Sequence, residues 1–370
     1  MDQTPSCLDW VITDDPDIVE ELTYEEPICK SDHLCLSWQL SFCKQSIADN
    51  FKYNYIDYMA EKLMQSGFFS AYQHGFIKGK SCTTNLLTAF ETWTKWVDEG
   101  FGVDIVYLDY KKAFDSVNHV KFIEKLHHAG IHPAVIKWIA AFLQGRRMRV
   151  KVRLEFSDWV LVLSGVPQGS VLGPLLFLIF INDLPLWIRN SMLLLFADDT
   201  KLCRRIIDEN DEILLQHDLD SLMEWTKRWC LQLNIEKCKV MKVAHSSQCE
   251  YKLDGVKIQE VQQERDLVVE VSCDLKPSLQ CTKAVAKAMQ VLGIVRRNFV
   301  MNDAEDFRLL FNGYVRPHLE YCVQVWSPYL RKDIIIIIII IYRFLERHKS
   351  LGYRGAGGVS IRRTVGIGKS

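Results

Sequence analysis

Apolar spacing divides the chain into three regimes. From Gln73 to about Tyr329 helix and strand signals are dense, residues 1–59 are acidic, aromatic and loop-rich, and beyond about residue 330 the pattern fails. His119–His128 and residues 133–144 carry apolar side chains at helical spacing, and Gly130 breaks them into two helices. Leu215, Leu219, Leu222, Met223 and Thr226 form one stripe of a further helix ending near Trp229, and residues 57–65 read as a short one. Residues 149–156 alternate basic and apolar, which predicts a strand with one wet face. Pro167, Gly169, Gly173 and Pro174 punctuate a loop leading into a helix so apolar that it must be buried. Residues 334–341 are eight consecutive isoleucines, β-prone and an aggregation hazard if exposed, and the Gly/Arg-rich stretch after Gly352 reads as disordered.

Two apolar runs end in acids. Ile105–Leu108 predicts a strand that delivers Asp109, and Leu193–Phe196, after Ala197, delivers Asp198 and Asp199. Read alone, an Asp at a strand end is more often a turn former, and the acidic pair suits an ordinary polar turn equally well. Adjacent like charges also raise each other's pKa unless a cation neutralises them. Asp109 and Asp198 are 89 positions apart, so two strand ends can meet side by side in one sheet. Three carboxylates there can hold two metal ions about 4 Å apart, the arrangement that serves phosphoryl transfer. Gln168 and Gly169 fall where backbone can approach a ligand closely, although the glycines also suit a plain helix start.

Composition bounds the picture. With 48% hydrophobic residues the chain can bury a core, and its 370 residues leave room for two domains. A net charge of -1 is bland for a protein that handles nucleic acid. The charge is uneven, however: the N-terminal region is acidic, and Arg331, Lys332, Arg343, Arg347, Arg362 and Arg363 make the tail basic. Arg146, Arg147, Arg149, Lys151 and Arg153 suit either phosphate tracking or a solvated strand face. The twelve cysteines include no CxxC pair, which predicts free thiols in a reducing compartment. Met1-Asp2-Gln3-Thr4 opens no signal peptide, and the apolar run 171–181 is too short to cross a bilayer. The expectation is an intracellular protein that uses no membrane.

From about Phe68 to Tyr329 the ordered motifs resemble the reverse transcriptase of non-LTR retrotransposons, of the jockey-like long interspersed element group. Gln73-His74-Gly75-Phe76 with Lys78, Gly79, Lys80 and Ser81 is similar to the fingers motif. Leu108 to Asp115 and Ser164 to Pro174 resemble the first two palm motifs, and Phe196-Ala197-Asp198-Asp199 the active-site hairpin. Leu233-Asn234 with Lys237 resembles the motif that follows, and Tyr314-Val315-Arg316-Pro317 through Trp326-Ser327-Pro328 the thumb side. Leu8-Asp9-Trp10-Val11 with Ser31-Asp32-His33 resembles the last strands of the family's apurinic-type endonuclease, in which Asp9 would orient His33.

The resemblance implies an α+β right-hand polymerase: an endonuclease remnant and linker over 1–59, fingers and palm over 60–276, a thumb-like helical region over 277–333 and a low-complexity tail over 334–370. It implies RNA-directed DNA synthesis with two Mg²⁺ ions, or Mn²⁺ in their place, on Asp109, Asp198 and Asp199. The RNA template, a DNA primer from nicked target DNA and deoxynucleoside triphosphates would be its partners, in a ribonucleoprotein of nucleus or cytoplasm. Phe114 would be the steric gate against a 2′-hydroxyl, with a core aromatic as the alternative. Gln168, Gly169, Gln73, Gly75 and Phe76 would line the nucleotide and template pocket. Lys237 would donate a proton near pyrophosphate, with a solvated surface lysine as the alternative. Two departures stand out: no Tyr-Arg-Pro-Ile-Ser-type segment supplies a triphosphate-gripping Arg, and Val268 occupies the usual glycine position of the primer-grip motif. A catalytically inactive relic that at most binds nucleic acid is therefore the second reading.

Overall fold

The computed structural model describes residues 19–25, 35–40, 63, 67–153, 155–170, 172–299 and 304–338. It divides into two units, Met1–Lys276 with Cys322–Trp326, and Pro277–Tyr321 with Ser327–Ser370.

In the first unit β1 (Val19–Glu25) and β2 (Cys35–Leu40) pair as an antiparallel hairpin. Helix α1 (Cys82–Asp98) starts at Ser81, which exchanges hydrogen bonds with Thr84 in a capping box. Strand β3 (Gly102–Leu108) follows. Next come α2 (His119–His128), capped by the Asn118 side chain, and α3 (Pro133–Leu143), with Pro133 at its first turn. A two-stranded ribbon then pairs β4 (Arg147–Met148) with β7 (Val160–Leu161), and β5 (Lys151–Val152) with β6 (Glu155–Phe156). Helix α4 (Leu172–Ile181) leads to the hairpin β8 (Met192–Phe196) and β9 (Asp199–Ile206). Helix α5 (Glu209–Trp229) is capped by Asp208 and ends where Cys230 turns left-handed. The chain continues through β10 (Lys239–Val243), the small hairpin β11 (Lys252–Leu253) and β12 (Val256–Lys257), β13 (Gln259–Glu260), and the hairpin β14 (Gln263–Asp266) and β15 (Val269–Ser272).

The central sheet has the order β13-β10-β3-β9-β8 and is antiparallel except for the β10–β13 pair. Alternation along its strands sends Val106, Leu108, Leu202, Leu193, Leu195 and Val240 to one face, where residues of α2, α4 and α5 cover them. Val103, Ile105, Leu194, Cys203, Met241 and Val243 go to the other face, against Ala89 and Trp93 of α1. Helix α4 is buried all round, as its composition requires. With both faces covered, the sheet offers its chemistry only at strand ends.

In the second unit α6 (Ser278–Asn298) packs Ala288 and Leu292 against Val315. Residues 331–338 are helical, so the start of the isoleucine run is not the β-prone or disordered tail expected from composition. Asp333 is buried and accepts a hydrogen bond from Ser278 at 2.7 Å, a tertiary anchor that overrides weak β propensity. The single strand expected over 149–156 is instead folded in two. Val152 pairs with Glu155 around a tight turn in which Arg153 has φ 56, and both faces of the ribbon are exposed. Of the short helix expected over 57–65, only Leu63 is described, and it is helical. Among the described residues the cysteines are free thiols, and no helix is long and apolar enough to cross a membrane.

Candidate active site

The β3–β9 ladder ends with Leu108 opposite Thr200. One step further along each strand stand Asp109 and Asp199, and neighbouring strands lie about 4.8 Å apart. Phe196 pairs with Asp199, so β8 and β9 are joined by the two-residue turn Ala197-Asp198. Ala197 takes φ 54, the left-handed conformation a tight hairpin demands. Sheet register and turn geometry thus bring together the three carboxylates that the sequence leaves far apart.

Their electrostatics are unfavourable without a counter-ion. Burial pushes the Asp199 carboxyl up to about 6, helped by the negative charges of Asp198, Asp266 and Asp109 and opposed by Lys201. Burial, with Asp109 adding to it, also raises Asp198. A cleft of about 130 Å³ opens beside them, lined by Asn85, Asp109, Asp199, Lys201, Lys237 and residues 264–267. Lys237 reaches into it with its ammonium 3.9 Å from the Asp109 carboxylate and most of its side chain in water. Its loop is stitched to the first carboxylate, because the Asn234 amide donates to the Asp109 carbonyl at 2.7 Å and the Lys237 amide to the Asn234 carbonyl at 2.9 Å.

Gln73 and Gly75, expected to line the nucleotide and template pocket, lie buried against the hairpin turn. Gln73 is 2% exposed. Its side chain accepts from the amides of Ala197 (2.9 Å) and Gly75 (2.7 Å) and donates to the Ala197 carbonyl (3.3 Å). A Cβ on Gly75 would lie 2.3 Å from the Ala197 nitrogen, so only glycine lets this segment lie against the turn. Phe76, next in line, is exposed at φ 54.

The other expected residues lie around the segment that follows Asp109. Phe114 is partly buried and stacks on Phe177 with ring centres 4.4 Å apart. The Val166 amide donates to the Phe114 carbonyl, and Gln168 donates to Asp115 at 2.9 Å. Gly165, at φ 88, lies so close to Asp115 that an added Cβ would be 2.7 Å from its Cα. Gln168 and Gly169 remain exposed, Gly169 at φ 78 with open space around it. Asp9 and His33 lie outside the described residues.

Two features had no clear sequence signal. Asn85 sends its amide to the Leu195 carbonyl at 3.1 Å, while its side-chain oxygen is buried without a partner. Lys201, close in sequence to the acidic pair, forms a buried ion pair with Asp266 of the β14–β15 hairpin. Only the pairing of distant strands reveals that link.

Among the described residues no group of three or more His, Cys, Asp or Glu stands pre-assembled to hold a metal ion. Asp109, Asp198 and Asp199 are nonetheless hard oxygen donors whose mutual repulsion a divalent cation relieves. Mg²⁺ commonly takes only one or two carboxylates and completes its shell with water and substrate phosphates. The donor set fits an ion of that kind.

Comparison with known proteins places the chain. The family described as reverse transcriptase (RNA-dependent DNA polymerase) matches residues 50–294. A probable RNA-directed DNA polymerase from transposon BS of Drosophila melanogaster is 29% identical over 274 residues, 69% of this chain and 30% of the relative. The RNA-directed DNA polymerase from the mobile element jockey of the same organism is 31% identical over 144 residues, 36% of this chain and 15% of the relative. An apo telomerase structure from Candida Tropicalis is similar at 12% identity and a TM-score of 0.43, over 71% of this chain and 55% of that one. The chain spans less than a third of the length of these transposon relatives. With the family matched across most of its length and the carboxylates of its palm motifs converging at one sheet edge, the chain belongs to the reverse transcriptase family, among relatives from jockey-like and other non-LTR elements.

Proposed function

We propose that the chain performs RNA-directed DNA synthesis, with Asp109, Asp198 and Asp199 holding two Mg²⁺ ions. The observation that carries this reading is the strand register that sets Asp109 across from the Ala197-Asp198 turn and Asp199. Divalent ions, general in this family, supply activation of a primer 3′-hydroxyl and neutralise charge on the triphosphate. The protein's own part is positioning. The covered sheet holds the carboxylates, and Lys237, exposed beside Asp109, would supply a cation where pyrophosphate departs. Phe114, fixed against Phe177, would meet the nucleotide sugar, and the exposed backbone at Gly169 would admit the base and template. The likeness of residues 8–11 and 31–33 to an endonuclease remnant rests on sequence and belongs to the same proposal: a piece of an element that nicks target DNA and primes from it.

Primer extension on an RNA template with Mg²⁺, beside Asp198→Ala and Asp199→Ala variants, tests the reading. Extension by the parent and none by the variants is expected. A folded parent that binds RNA salt-sensitively and extends nothing would establish the inactive relic instead. The absence of a Tyr-Arg-Pro-Ile-Ser-type segment is the sequence feature that favours that second reading.

A further inference from the structure

The ribbon β4–β7 lies outside the site described above. Arg147, Arg149 and Lys151 fall at alternate positions of its first limb, so they share one face, and Arg153 stands in the turn that follows. The pairings Lys151–Phe156 and Arg147–Leu161 bring Phe156 and Leu161 to that same face. The Arg149 guanidinium lies 3.9 Å from the Phe156 ring centre and 4.5 Å from that of Trp159, and the Lys151 ammonium 5.2 Å from Phe156. Phe156, Trp159 and Leu161 are each about half exposed among the described residues.

What covers such a surface is decided by its charge. Residues 146–163 carry five cations against two acids in a chain whose net charge is -1. A second copy docked on this face would set arginines against arginines, and protein interfaces deplete charge at their centre. Cations interleaved with rings suit a polyanion that also offers flat apolar faces, which is an unpaired nucleic-acid strand: phosphates meet the cations, and bases stack on the rings or on the guanidinium plane. A duplex hides its base faces. The ribbon is rooted at the loop that leads to Gln168 and Gly169, because Arg146 donates to the Gly165 carbonyl at 3.0 Å and the Gly165 amide to the Val117 carbonyl.

We propose that the Arg149–Phe156–Trp159 face is a stacking platform for single-stranded RNA, seating unpaired template as it nears the cleft. This rests on the reading of the chain as an RNA-templated polymerase. In solution, anisotropy of a labelled oligouridine of about 16 nucleotides, longer than most single-strand sites, would be titrated with the full chain at several salt concentrations. Phe156→Ala/Trp159→Ala is expected to weaken binding by roughly tenfold at every salt concentration without changing the salt slope. Arg149→Ala/Lys151→Ala is expected to lower the slope of log K against log salt by about 1.4, two phosphates at 0.7 each. The same strand annealed to oligoadenosine should not respond to the aromatic double variant. Parent-like single-strand binding by that variant, or an equal loss on duplex, overturns the proposal. So does a parent dimer that the aromatic substitutions dissociate with RNA affinity unchanged. Failed primer extension with the aromatic effect intact would sink the polymerase reading and leave the platform standing.

Discussion

Gln73 holds both backbone polar groups of Ala197, its carbonyl oxygen accepting the amide at 2.9 Å and its amide nitrogen donating to the carbonyl at 3.3 Å. The residue so gripped is the left-handed corner that aims Asp198 and Asp199. Gln73 therefore positions the turn that carries the carboxylates.

Gln73→Ala leaves the amides of Ala197 and Gly75 and the Ala197 carbonyl without their partner. Each buried unsatisfied group costs about 1–3 kcal/mol, and partial hydration of the hole keeps the expected loss near about 3 kcal/mol. A carboxylate displaced by about 1 Å costs roughly a hundredfold in rate. Gln73→Glu puts a buried charge beside the acidic pair and turns the donated hydrogen bond into a contact between two oxygens, so at neutral pH its stability should fall at least as far as that of the alanine variant. Extension rates measured below both unfolding midpoints decide the matter: a folded Gln73→Ala protein with parental activity would sink the positioning role.

Asp199 makes the metal-free protein sensitive to pH. Its folded pKa, about 6, lies above the ordinary carboxylate value, so the folded state holds its proton more tightly than the unfolded state does. The associated stability is fully present below about pH 4 and is lost as pH rises through 6. Asp199→Asn removes that dependence. The metal-free variant should melt higher than the parent at pH 7.5, by an amount on the order of 1 kcal/mol once solvent screening of this partly exposed group is allowed for. Mg²⁺ should raise the parent's Tm at pH 7.5 and that of the variant much less. Equal Mg²⁺ responses would argue against a metal ion at this carboxylate.

The strands that carry Asp109 and the acidic pair were legible because buried strands read as apolar runs, and the acids that end them, each an ordinary turn former when read alone, pointed to a shared site only when taken together. Helices α2, α3 and α5 were legible from their apolar period, and the boundary between α2 and α3 from Gly130. Gln73 was legible only as part of a motif, and its task was hidden because the bond it makes spans 124 positions. Lys201 pairs with Asp266 rather than with the neighbouring acids, a choice set by which hairpin folds over the cleft and not by local spacing. The alternation over 149–156 showed a real two-residue period, but period alone does not reveal that the strand doubles back at Arg153.

Lys125 gives a second pH test, remote from the carboxylates. Its ammonium is buried among the rings of Phe180, Trp225 and Trp229 and bonds to Asp183 at 2.6 Å and to the Phe180 carbonyl. Burial lowers its pKa to about 8, with Asp183 opposing the shift. A depressed lysine binds its proton more weakly when folded. The resulting penalty, about 3 kcal/mol for a shift of this size, is present in full below pH 8 and is relieved as pH rises toward the unfolded value of 10.5. Stability should therefore climb between pH 8 and 10 in the parent, and chemical denaturation should show the climb absent in Lys125→Met. A parallel pH dependence in the two proteins would mean that the ammonium is better solvated than its surroundings suggest.

Val268 stores strain in the hairpin that borders the cleft. Asp266 pairs with Val269, so Leu267 and Val268 form a two-residue turn, and both have positive φ, 44 and 72. Tight antiparallel turns favour this geometry, which suits Asn-Gly and penalises a β-branched side chain. Val268 is 54% exposed, so its side chain returns little packing energy for that strain. Val268→Gly removes a left-handed penalty of about 1–2 kcal/mol while adding the greater backbone entropy of an unfolded glycine, roughly 0.5–1 kcal/mol. The net expectation is a gain on the order of 1 kcal/mol, read as a higher denaturation midpoint at unchanged m-value. Val268→Ala keeps a Cβ at the same φ and should recover only part of it. If glycine left the midpoint where valine has it, the turn would have to relax in solution to a conformation that β-branched residues accept, and the placement of residues 264–267 along the cleft wall would relax with it.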